Sequence, residues 1–162
     1  EGTGIKKNPR HYGAFPTDPY SHTPQHAGAQ QPGMTGQVKE DVIARLAEVG
    51  LRIRHGVVSF DPVLFESIEL LQSPSQLQFF DVSMEQVTLP LEAGTFAFTV
   101  CQVPVVYRES QETFIHVHFN SGEIVTRSGS SLTPHESRTL FDRNGEITQI
   151  NLEYSPRDFQ TF

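Results

Sequence analysis

From Leu51 onward, apolar residues recur at every second position in short runs broken by Gly, Pro, Asn and Asp. A period of two fits a strand with one buried face and does not fit a helix, so this pattern constrains the fold more than any other feature. It predicts strands at 51–54 and 57–60 around a His55-Gly56 turn, then at 76–82, 86–89, 95–108, 113–119, 123–127, 138–142 and 146–154. A short helical piece is expected through Leu64, Ile68 and Leu71. Along 95–108 the apolar parity changes, from Phe96, Phe98 and Val100 to Val103, Val105 and Tyr107. A continuous strand then needs a bulge or an edge position near Gln102 and Pro104, because proline cannot donate to a ladder. Asn120-Ser-Gly122 and Asn144-Gly145 are predicted hairpin turns. The expected fold is mainly β, an antiparallel, jelly-roll-like β-sandwich over 51–162.

Upstream the period changes. Val38, Val42, Leu46 and Val49 form one apolar stripe of a helix over 37–50, with Thr35 as its cap, Glu40 and Asp41 near its positive end and Gly50 closing it. Residues 1–36 hold five prolines and six glycines and show neither period. Disordered tails are poor in aromatics, yet this segment carries Tyr12, Phe15 and Tyr20 beside His11, His22 and His26. It is therefore expected to be irregular and ordered against something. The organisation predicted is 1–36 irregular, 37–50 connecting helix and 51–162 β domain. A chain opening on Glu1-Gly-Thr-Gly reads as a cut from a longer polypeptide.

Charge and motif content exclude several classes. The formal net charge is -7 and the 12 Lys and Arg are dispersed, so neither nucleic acid nor an anionic membrane is expected as partner. A neutral or cationic partner fits better. The single cysteine, Cys101, allows no internal disulfide and lies in an apolar run, where it reads as a small buried hydrophobe. No run approaches the roughly 20 apolar residues of a membrane span. Nucleophile elbows, phosphate-cradling glycine runs and zinc-protease helices are absent from the sequence, so no cofactor is expected. A cytoplasmic location is the expectation.

Two stretches carry candidate chemistry. His116-Val-His118 places two imidazoles on one side of a strand, and with Glu123 the spacing resembles part of the cupin metal motif. The glycine that motif has before its first histidine is missing, and so is its second half. Ile115, Val117 and Phe119 claim the apolar face, leaving the histidines on the wetter one. A Ser121-Gly122 turn would set Arg127 opposite His116, where a guanidinium repels a dication. The second stretch is the irregular segment. Asp18, Tyr20, His22 and His26 combine an aromatic face with carboxylate and imidazole groups suited to a polyhydroxylated ligand.

The order of segments adds a resemblance. Gln31-Pro-Gly-Met-Thr-Gly-Gln-Val-Lys-Glu-Asp41 on a helix, then Gly50-Leu-Arg-Ile-Arg-His-Gly-Val-Val-Ser-Phe-Asp-Pro62, then a β domain, resembles the carboxyl end of large bacterial carbohydrate-active enzymes. In those proteins an α/α-toroid catalytic domain, as in glycoside hydrolases and phosphorylases, passes through its last helix into a β-sandwich. The resemblance is architectural. It implies a β-sandwich accessory domain, a catalytic domain in the remainder of the same polypeptide as partner, and a carbohydrate as ligand. It implies that residues 1–36 face an active site and that catalysis lies elsewhere. The alternatives are a free-standing carbohydrate-binding module, weakened by the lack of tryptophan, and a cupin-like metal protein.

Overall fold

A computed structural model describes residues 34–159 of the chain, with side chains from 41 onward. The fold is mainly β, as the period of two predicts. Helix α1 (Met34–Glu48) precedes hairpin β1 (Leu51–Arg54) and β2 (Val57–Phe60). Hairpins β3 (Ser75–Phe80) with β4 (Gln86–Leu91), β5 (Thr95–Val100) with β6 (Val103–Glu109), and β7 (Phe114–Phe119) with β8 (Ile124–Ser128) follow. Helix α2 (Pro134–Asp142) and strand β9 (Ile147–Tyr154) complete it. The chain divides into two units, Glu1–Leu46 and Ala47–Phe162, and the second holds every named strand.

Five strands form the main sheet in the order β5-β6-β9-β7-β8. β9 enters between the two preceding hairpins, antiparallel to β7 and parallel to β6. The sheet is therefore mixed at one pairing and antiparallel at the others. The parallel pair needs a crossover, and the connection from β6 to β9 runs through the β7–β8 hairpin and α2. Sequence periodicity placed a strand at 138–142, but the capping signal a few residues earlier wins. Thr133 Oγ1 accepts from the Glu136 N–H at 3.2 Å, the Glu136 carboxylate accepts from the Thr133 N–H at 2.8 Å, and proline opens the helix.

The β1–β2 hairpin and α2 cover one face of this sheet. Val58 and Phe60 of β2 are fully buried with Val105, Tyr107, Ile115, Val117, Ile150 and Leu152. Tyr107 is the centre of an aromatic cluster, meeting Phe98 edge-on at 5.3 Å and Phe60 at 6.3 Å. Its hydroxyl donates to the Val49 carbonyl at 2.7 Å. Gly50, at φ +79°, lets the chain turn there; a Cβ would lie 2.1 Å from the Asp61 carbonyl oxygen. On α2, Ser137 Oγ accepts from the Val58 N–H at 3.1 Å, and Glu136 receives both guanidinium arms of Arg127 at 2.9 and 2.6 Å. Burial pushes the Glu136 carboxyl up, but the bonds from Arg127 and Thr133 outweigh it and hold the group below its ordinary value.

Several local expectations are corrected by turn geometry. The span 95–108 is two strands: Cys101 and Gln102 have φ of 51° and 67°, a two-residue turn of the kind that suits hairpins, with Val100 paired to Val103. The parity change marked a reversal of the chain, not a bulge. Cys101 is accordingly only part-buried. His55-Gly56 forms the predicted turn, with both residues at positive φ. Asn144-Gly145 instead joins α2 to β9. Helix α1 begins at Met34, so Thr35 lies inside it and its first turn holds no acidic residue. Val42 is 54% exposed and does not supply the buried stripe expected of it. The helical piece near Ile68 is a single 3-10 turn, Ser67–Glu69, with Ile68 on the surface.

Candidate functional site

The other face of the main sheet is polar. Alternation along β7 sends Ile115 and Val117 into the core and His116 and His118 to this opposite face. β9 does the same, with Ile150, Leu152 and Tyr154 inward and Gln149, Asn151 and Glu153 outward. The register sets these side chains side by side. One row across the sheet is Ala97, Val106, Asn151, His116 and Thr126. The neighbouring row on one side pairs Arg108 with Glu153, and on the other His118 with Gln149.

A concavity of about 370 Å³ opens over these rows. The end of β4 and the following residue, Leu89, Pro90, Leu91 and Glu92, wall it on one side, and Ile124 lines it from β8. This volume is at the small end of the range for ligand pockets.

Hydrogen bonds order the floor. Gln149 Nε2 donates to Asn151 Oδ1 at 2.7 Å, and Asn151 Nδ2 lies 3.1 Å from His118 Nε2. His116 Nδ1 is 2.9 Å from Thr126 Oγ1. Its Nε2 is sealed from solvent without a hydrogen-bond partner among the described residues, 3.9 Å from the Glu153 carboxylate. At the rim Arg108 pairs with Glu92. Burial, followed by the neighbouring His116, holds the His118 imidazole below its ordinary value. Neutral donors and acceptors thus dominate the floor, with the nearest cation already paired.

The predicted site residues fare differently. Asp18, Tyr20, His22 and His26 lie outside the described residues. His116 and His118 share a face, as strand parity predicts. Glu123 is exposed in the β7–β8 connection, and among the described residues no three His, Cys, Asp or Glu side chains group as a metal site.

The expected pairing of Arg127 with His116 is off by one residue. His116 faces Thr126, and Arg127 faces Ile115, because Gly122 at φ +86° closes a longer turn than the two-residue one assumed. One step of register moves a side chain to the opposite face, and Arg127 consequently reaches Glu136 of α2. Sequence reasoning missed Gln149, Asn151 and Glu153 as partners of the histidines. Their polar alternation with Ile150, Leu152 and Tyr154 was legible, but the insertion of β9 beside β7 was not.

No protein-family model matches this chain, and no curated protein does.

Proposed function

We propose that the chain is a β accessory domain of a carbohydrate-active enzyme, and that it contributes sugar contacts through the polar concavity of its main sheet. The observation that carries this reading is the hydrogen-bonded cluster of neutral amides and imidazole, Gln149, Asn151 and His118. Carboxamides and neutral imidazole offer a donor and an acceptor each, which matches the paired demands of sugar hydroxyls. Leu89, Pro90, Leu91 and Val106 supply apolar surface beside them for the C–H faces of a pyranose. Glu92 and Glu153 against Arg108 leave the rim net negative, which favours a neutral sugar over a uronic acid. The segment order resembling the end of toroid glycoside hydrolases and phosphorylases supports the accessory setting. Asp18, Tyr20, His22 and His26 are proposed as further sugar contacts from the N-terminal segment.

Backbone amide NMR during titration with neutral mono- and disaccharides tests this. Saturable shifts confined to β7, β9 and Leu89–Glu92 are expected, with a Kd in the millimolar range, about 4 kcal/mol of binding. Asn151→Ala should abolish them. Shifts scattered over both faces, or none with any neutral sugar, would sink the reading.

A further inference from the structure

The floor of the concavity has a direction. An amide NH2 only donates, so in the Asn151–His118 contact the ring Nε2 accepts and the ring proton sits on Nδ1. Asn151 has its nitrogen turned toward His118, so its oxygen is the atom that receives the Gln149 N–H. The tautomer of one imidazole and the orientation of two carboxamides are therefore coupled.

We propose that His118 is a positioning residue that sets the hydrogen-bond polarity of the concavity: neutral, it holds Asn151 and Gln149 in one orientation, and on protonation it turns both over. Protonation takes one proton from solvent onto Nε2 and breaks no covalent bond. The new Nε2–H then faces the Asn151 NH2, donor against donor. A half-turn of the Asn151 amide brings Oδ1 to the ring. That leaves Nδ2 facing Gln149, whose amide turns in the same way to present Oε1. Donors and acceptors offered to a bound hydroxyl exchange places at both residues.

The groups that bear on this event come from every strand around the ring. His116 shares β7; β9 brings Glu153; β6 brings Arg108, paired with Glu92 beyond β4; β8 contributes the uncharged Ile124 and Thr126. Burial opposes the imidazolium first and the neighbouring His116 next, so the half-turn falls on the acid side of the ordinary histidine value of 6.5. This inference rests on the sugar-binding reading for its use, but not for its test.

The test is made on ligand-free, 15N-labelled protein. Across-hydrogen-bond coupling between Asn151 Nδ2 and His118 Nε2 should be present near neutral pH and vanish on acidification. The side-chain NH2 resonances of Asn151 and Gln149 should titrate with the His118 ring at one shared midpoint. In His118→Gln both amide profiles should be flat. Amides that ignore the His118 midpoint, or that still titrate in His118→Gln, overturn the proposal. Sugar affinity measured on both sides of the midpoint then reads the consequence, expected to change at least about fivefold in the wild type and not in His118→Gln. Affinity that stays constant while the amides turn over removes the role in recognition. Absence of sugar binding at either pH counts against the proposed function alone, because the amide titration is read without ligand.

Discussion

Ile115 and His116 are neighbours on one strand, yet one is sealed in an aromatic core and the other floors a polar concavity. The same holds for Leu152 and Asn151 on β9. Toward the β1–β2 hairpin and α2, the sheet is held by close packing around Tyr107, where each lost methylene leaves a void. Toward β4 its side chains are arranged by hydrogen bonds with each other. Close packing and polar pairing are thus separated across the thickness of a single sheet, and substitutions on the two faces should report different quantities.

The largest effect is expected from the core face. Leu152→Ala should cost about 2–5 kcal/mol in urea unfolding, since the site is fully enclosed; a loss under about 1 kcal/mol would mean that the sheet does not carry its core there. Glu136→Ala comes next, at about 2 kcal/mol, because it strands the part-exposed Arg127 and removes half of a capping box. The same carboxyl gives a pH signature. Its folded value lies below its unfolded one, so its contribution is present above the ordinary carboxylate value and fades as pH falls through the folded value. Acid unfolding of Glu136→Gln should lack that component; an unchanged profile would discard the assignment. The smallest effect belongs to the polar face. Asn151→Ala should alter stability by less than about 1 kcal/mol while erasing sugar-dependent shifts. If it destabilises as much as Leu152→Ala, the two faces are not separable and the comparison fails.

Strand positions and their inward faces were legible in the sequence, because alternation reports burial locally. Turn type was less so. At Cys101-Gln102 neither residue is a glycine, asparagine or aspartate, and nothing in the composition announces two positive φ angles. At residues 138–142 alternation pointed to strand although Thr133, Pro134 and Glu136 already spelled a helix start. For the candidate site, His116 and His118 could be placed on the polar face from parity alone. Their partners could not. Asn151 lies 33 positions from His118, and only the pairing of β9 with β7 joins them.

That pairing also dictates when the concavity can exist. β5–β6 and β7–β8 are hairpins whose pairing is local in sequence, so each can close as soon as it has been made. Between them lies a gap one strand wide, with unpaired backbone on both sides, and β9 is made only after α2. Until it docks, the histidines have no amide neighbours and the inner edges of both hairpins stand open to mispairing. A chain that has made only the two hairpins therefore leaves two inner edges open and lacks the polar floor, and the docking of β9 ends both conditions.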